Sequence, residues 1–305
     1  TKLTHPRSVK HCDRQSSDEI VFNIIADFQS KLPTILETSN AHQSVFAKIC
    51  GSTNPLGIFL GQEIECFNTL ITVIESSLRD VFSATKGLMV MNHELESLYD
   101  CLESNRVPLL WENAAYPSLK PLASWFADLL CRIENLQNWI SNGPPKCFWI
   151  SGFFFPQGLL TSVLQSHARQ TQTSIDSLHL SSVVRQESLE EIEESPSTGV
   201  FIHGTFLQGA GWDRSASLLQ ESVRSELFVS MPVIWLKPIL EGNELVEKNE
   251  FSFYNCPVYK TSERAGELST TGHSTNFIFC IKLRSRADSN HWTRRGVALL
   301  SQLHT

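Results

Sequence analysis

His203, His273, His291 and Cys256 are the residues whose types could do nucleophilic chemistry, the thiol attacking while an imidazole takes its proton. None has a local activating neighbour. Each lies within or beside a stretch rich in β-branched and aromatic residues, where a hydrogen-bonded strand or turn role is the simpler assignment. Ser274, in "TTGHST", lacks the GxSxG corner that lifts a serine nucleophile out of a strand-to-helix turn. "NHELES" opens as a zinc-binding helix would, but the second histidine four residues after His93 is missing. No glycine precedes a Lys-Ser or Lys-Thr pair, so there is no phosphate-cradling Walker loop, and "HGTFLQGAG" has neither the spacing nor the following helix of a dinucleotide site. The eight cysteines form no CxxC pair, which excludes a zinc ribbon or thioredoxin-type couple and points to reduced, intracellular thiols. The expectation is a segment with no catalytic, cofactor-binding or metal site, and not an enzyme in itself.

Three stretches could serve recognition instead. Trp212, Asp213 and Arg214 place an aromatic, a carboxylate and a guanidinium in a row, which could form a recognition platform; a turn in which Asp213 bonds nearby backbone and Arg214 stacks or pairs locally is the simpler assignment. "RAGELSTTGHSTNF" has the small and hydroxyl residues of a phosphate loop but no lysine in place, and a hairpin turn needs the same types. "RQESLEEIEESPST" carries Glu187, Glu190, Glu191, Glu193 and Glu194 and is expected as a mobile, solvated loop at 186–198, its functional reading being docking to a basic partner.

What must position these residues follows from composition and periodicity. The chain has 305 residues, 41% hydrophobic and 19% charged, with mean hydropathy -0.11, which describes a soluble globular chain able to bury a large core. A net charge of -7 argues against nucleic acid and for a protein partner. No apolar run of membrane-spanning length and no signal-peptide core are apparent, so no membrane partner is expected, and the polar opening looks like a cut inside a longer polypeptide. Leu60, Ile64, Phe67, Ile71, Ile74, Leu78 and Val81 step by four and three along one helix face, with Asn54 and Pro55 as its start and Gly87 as its stop. Leu122, Phe126, Leu129, Ile133, Leu136 and Ile140 repeat the pattern up to Gly143. Shorter helices are expected in "SSDEIVFNIIADFQSKLPTIL" and after Asn92. After Pro145, short β-rich runs take over: "KCFWISGFFF", "SIDSLHLSSVV", "TGVFIHGTFL", "MPVIWLKPIL", "YNCPVYKT", "NFIFCIKL" and "HWTRRGVALLSQL", interrupted by one helix near 156–170. The fold class is α+β: an N-terminal antiparallel helical array followed by a mainly antiparallel, barrel-like β module with one inserted helix. The expected divisions are a lead-in at 1–50, a helical subdomain at 51–145 and the β subdomain at 146–305. In "FWISGFFF" the alternation around Gly152 predicts a strand covered on both sides, at the seam between the halves.

These stretches, in their order and spacing, resemble the C-terminal domain of dynein heavy chains. The resemblance rests on "FWISGFFFPQGLLTSVLQSHAR", "GVFIHGTFLQGAGWDR", "MPVIWLKP", "CPVYKTSERAGELSTTGHSTNF" and "HWTRRGVALLSQL", and more loosely on "NPLGIFLGQEIECFNTLITVI", "RVPLLWENAAYPSLKPLASWFADLL" and "NWISNGPPKCFWISG". It runs from about residue 50 onward, with the earlier residues resembling the tail of the last AAA+ module; "FFFPQG" looks axonemal rather than cytoplasmic. The resemblance implies a regulatory, non-catalytic domain packed on the AAA+ ring of the same heavy chain, modulating ATP-driven microtubule motility. It implies other dynein subunits as possible partners, microtubules only indirectly, and a place in the cytoskeleton of the cilium or flagellum. The alternative is a recruitment module for axonemal or regulatory proteins. The 186–198 loop has no counterpart in the recurring motifs.

Overall fold

The structure, a computed structural model, describes residues 17–49, 51–242, 251–264 and 275–303. His273, Ser274, Cys12, Cys50, residues 1–16 and most of the "RAGELSTTGHSTNF" turn lie outside the described residues.

Helix α1 (Ser17–Lys31) opens the described chain, followed by a small hairpin of β1 (Lys48–Ile49) and β2 (Ser52–Thr53). Helix α2 (Pro55–Thr85) forms where the spacing predicts it, because the signals agree at every level. Asn54 accepts from the Leu56 N–H, Pro55 fills the first turn, and Gly87 at φ +72° follows the end. All seven stripe residues are buried. At 31 residues and a hydropathy of 1.2, α2 is long and apolar enough to cross a membrane, contrary to the sequence reading. Half of that window is covered by the rest of this fold, however, and the outward face carries the Glu75–Arg79 pair, as befits a core helix.

Helix α3 (His93–Glu103) starts where Asn92 accepts from Leu95 N–H. Periodicity does not predict the short α4 (Leu109–Ala114); six residues are too few for a period, and the helix is held by Trp111, fully buried, whose indole donates to Ser77 Oγ at 2.8 Å. Helix α5 (Leu122–Asn142) ends at Gly143, φ +89° and ψ -176°, backbone that only glycine adopts readily.

The phenylalanine run is not one long strand. It gives β3 (Cys147–Trp149), a single 3-10 turn (Ile150–Gly152), and an extended stretch before α6 (Pro156–Thr171). Phe148, Phe153 and Phe154 are buried while Phe155 is 52% exposed. Beyond α6 come β4 (Leu178–Val184), β5 (Val200–His203), β6 (Phe206–Gln208), β7 (Gly211–Asp213), β8 (Leu218–Gln220), β9 (Phe228–Ser230), β10 (Ile234–Leu240), β11 (Ser252–Tyr259) and β12 (Phe277–Ser285). The "HWTRRGVALLSQL" run divides into a helical turn, α7 (Ser289–Arg294), and β13 (Ala298–Leu300). There Trp292 is buried and donates to Ser285 Oγ at 2.6 Å, so packing of one indole overrides β propensity.

The α+β class and the order, helices first and sheets after, are as expected, and most pairings are antiparallel. The barrel-like expectation is not met. Among the described residues, and apart from the β1–β2 hairpin, the strands lie in two open sheets, ordered β3-β5-β10-β4 and β7-β8-β12-β11-β13-β6-β9, with parallel pairs at β3–β5, β11–β13 and β12–β8. The division is made by the backbone at Gly204, φ +85°, where a Cβ would fall 2.5 Å from the Trp149 ring. There the chain leaves the four-stranded sheet after β5 and enters the other at β6. One continuous buried cluster nonetheless runs from Val21 through both sheets to Leu299.

Candidate functional site

Of the residues singled out for chemistry, those among the described residues are not brought together. Cys256, on the core face of β11, is fully buried, and burial pushes its thiol far above the ordinary range, so it is no thiolate nucleophile. His203 ends β5, and burial lowers its basicity. His291 sits on α7, bonded to Glu221 Oε1 at 2.8 Å, while Arg295 holds the other oxygen of Glu221 at 2.6 Å. Among the described residues no hydrogen bond joins His203, His291 and Cys256, and no group of His, Cys, Asp or Glu could hold a metal. His93 is an exposed first-turn residue of α3. All six described cysteines are free.

Asp213 proves to be the turn residue of the simpler assignment. Its Oδ1 accepts from the N–H groups of Ser215 and Ala216 at 2.9 and 3.1 Å and from the Ser215 hydroxyl at 2.6 Å, while Trp212 is buried. The acidic loop carries local hydrogen-bonded structure. Arg185 clamps Glu187 at 3.0 and 2.6 Å, Ser188 and Glu191 form a reciprocal capping box, and the Trp235 indole donates to Thr198 O at 2.8 Å.

The charge that matters lies at the seam between helices and sheets. Arg132, on the buried stripe of α5, is wholly removed from water. Its Nε donates to Asp128 Oδ2 at 2.6 Å, Nη1 to the Ser151 carbonyl in the 3-10 turn, and Nη2 to the Gln302 amide oxygen at 2.6 Å, while Gln302 donates to Pro117 O at 3.2 Å. The guanidinium lies over Tyr116, 3.7 Å from its centroid, and 5.4 Å from that of Trp149. Asp128 also accepts from Lys120 Nζ at 3.0 Å and Tyr116 Oη at 3.1 Å. Burial alone would raise the Asp128 carboxyl; Arg132 and then Lys120 outweigh it and hold the carboxyl below its ordinary range.

Glu63, on the buried stripe of α2, makes the second joint. Its two oxygens accept the N–H groups of Phe154 (2.7 Å) and Phe155 (2.9 Å), which precede α6 and have no helical partners. Burial pushes this carboxyl up to about 7, against the lowering pull of those two N–H groups, Arg132 and Lys260. Aromatic contacts fill the space between: Phe153 meets Phe59 and Trp139 edge-on, Phe154 meets Phe67 and Tyr116, and Phe148 meets Trp139. The seam expected from the phenylalanine run is thus present, its aromatic partners lying on α2 and α5 and, for Tyr116, on the segment between α4 and α5. Arg132 and Glu63 went unread in the sequence although a signal was there. Each is a charged residue at an i+3 position of an apolar stripe, after Leu129 and Leu60, where burial demands a partner.

The sequence pattern of the C-terminal domain of dynein heavy chains matches residues 2–301. The chain belongs to that family. Over 289 residues, 95% of its length, it is 45% identical to mouse (Mus musculus) dynein axonemal heavy chain 1. It is 43% identical to human (Homo sapiens) dynein axonemal heavy chain 12 over 94% of its length, and 39% identical to human dynein axonemal heavy chain 6 over 98%. This dynein segment spans only 7%, 9% and 8% of the lengths of these three relatives, so it corresponds to one domain of much larger polypeptides. The match begins at residue 2, ahead of the motifs that carry the resemblance. In this dynein C-terminal domain the seam is a set of buried charged and polar groups that tie helices α2 and α5 to the segment around β3 and α6.

Proposed function

We propose that this domain is the non-catalytic regulatory end of an axonemal dynein heavy chain, packing on the AAA+ ring of the same polypeptide and modulating its ATP-driven movement along microtubules. In this reading ATP is bound and split elsewhere in the heavy chain, the microtubule is contacted only indirectly, and the site of action is the axoneme of a cilium or flagellum. Residues 51–145 and 146–305 act as helical and β subdomains joined through the seam, with 1–50 leading in from the last AAA+ module. The observation that carries the proposal is the seam itself. A rigid joint of buried charges between helices and sheets lets a displacement at one part of the domain reach the other, which a coupling element requires.

Removal of residues 146–305 from the full heavy chain tests it, with microtubule gliding and microtubule-stimulated ATPase as the measurements. The expected result is altered velocity or coupling ratio with microtubule affinity retained. Unchanged gliding and ATPase in a properly assembled motor would overturn the proposal.

A further inference from the structure

The loop between α2 and α3 holds apolar side chains out where this fold has nothing to cover them. Gly87 N–H donates to Ala84 O and Leu88 N–H to Ser83 O, each at 2.9 Å, the paired bonds that close a helix around a left-handed residue, here Gly87 at φ +72°. In that motif the residue after the glycine commonly packs on the residue whose carbonyl its N–H reaches. Here that residue is Ser83, which offers no apolar surface. Leu88 is left 78% exposed, Met89 46% and Val90 84%. The closing bonds pin the backbone on one side of these residues, and on the other Asn92 caps α3 through the Leu95 N–H. Their exposure is therefore built into the helix ends.

What stands beside the loop is acidic. The first turns of α1 reach the same end of α2: Phe22 meets Phe82 edge-on at 5.6 Å, and Lys86 Nζ lies 4.0 Å from the centroid of the Phe82 ring. Asp18 accepts from Tyr99 Oη at 2.6 Å, which holds α3 against α1. Along α3, Glu94, Glu96, Asp100 and Glu103 are exposed, and among the described residues none of these four carboxylates is in an ion pair. The cations that flank the helix are Lys86 before it and Arg106 after it. A partner for this end of the helical array needs apolar side chains for the loop and an excess of positive charge for α3.

The way the chain enters the fold says where that partner lies. The domain is a C-terminal one and spans less than a tenth of each relative's length, so in a heavy chain of that size most of the polypeptide comes before α1 and joins it beside this loop. We propose that the Leu88–Val90 loop and the acidic face of α3 dock a basic and apolar surface of the same heavy chain, N-terminal to α1. Its apolar side chains seat on Leu88, Met89 and Val90, and its lysines or arginines face Glu94, Glu96, Asp100 and Glu103. The inference rests on the reading that the domain packs on its own heavy chain, and it names the surface that does so.

The test is hydroxyl-radical footprinting of the full heavy chain, with methionine sulfoxide at each position read by tandem mass spectrometry. Met231, buried within the domain, is the internal reference. Met89 should oxidise as slowly as Met231, although its exposure in the domain alone calls for a rate about tenfold higher. The double substitution Leu88→Glu and Val90→Glu should restore the higher rate and leave Met231 unchanged, and Val90→Ser supplies a milder variant should the double one assemble poorly. Carbodiimide, which couples carboxylates to lysines in contact, should link α3 glutamates to residues N-terminal to Ser17 of the same polypeptide. Fast oxidation of Met89 in the native heavy chain would overturn the proposal. So would protection that fades on dilution, the mark of a second copy or a separate subunit, or coupling of α3 to tubulin instead. Protection that the double variant releases while gliding and ATPase stay unchanged would support the docking surface and count against the regulatory reading alone.

Discussion

Glu63 holds two backbone N–H groups while its own side chain is shut away from water, and the balance between those facts makes it sensitive to pH. Its folded value, about 7, lies above the ordinary 4.5, so the native state binds the proton more tightly than the unfolded state does. The associated stability is fully present below pH 4.5 and is lost as pH rises to about 7, a difference on the order of 3 kcal/mol for the shift. His203 works in the opposite sense: its basicity is lowered, so its contribution is present above 6.5 and is lost as pH falls through the folded value. Comparison with Glu63→Gln isolates the carboxyl. The variant should be less stable by about 1–3 kcal/mol, because one N–H loses its acceptor, and the deficit should shrink between pH 5 and 8 as the native protein loses its proton-linked advantage. Urea unfolding across that range reads both; a deficit that grows with pH would refute the assignment.

At the scale of elements, α2 contains two glycines four residues apart with opposite requirements. A Cβ on Gly57 would lie 2.1 Å from the Val45 carbonyl oxygen, backbone that cannot swing aside, whereas Gly61 has nothing within 4 Å. Gly57→Ala should therefore destabilise by about 1–3 kcal/mol through overpacking, and Gly61→Ala should stabilise by about 0.5–1 kcal/mol through helix propensity. Thermal unfolding of the two variants checks the opposed signs. Neither glycine is distinguishable in the sequence, because the difference lies in a neighbour remote from the helix pattern. The same reason governs what was legible elsewhere. Helices α2 and α5 could be read because stripe, start and stop all lie within one segment. The short α4 and α7 could not, since each is held by an indole reaching a serine in another element, Trp111 to Ser77 and Trp292 to Ser285. Strand positions were mostly visible, but not their assignment to two open sheets. The ionic seam needed a structure to show which partners Arg132 and Glu63 find.

At the scale of the molecule, Arg132 joins α5, the 3-10 turn and the C-terminal segment at Gln302 through one guanidinium. Removing it leaves the largely buried Asp128 carboxylate with Lys120 and Tyr116 alone, and takes the donors from the Ser151 carbonyl and Gln302. Arg132→Ala should cost about 3–5 kcal/mol, and the paired change Arg132→Met with Asp128→Leu should recover part of that loss. With one core running from Val21 to Leu299, tryptophan fluorescence and far-ultraviolet circular dichroism should report coincident unfolding of the native protein; separate transitions would show the halves to be independent. The crossing at Gly204 bears on how such a molecule could deform. Between His203 in one sheet and Phe206 in the other lie only Gly204 and Thr205, and a second tether, residues 231–233, returns from β9 to β10. Two ties this short leave no slack for one sheet to slide over the other. A twisting load is then resisted by covalent bonds of the backbone, and the low-friction relative motion left to the sheets is a small pivot about the crossing.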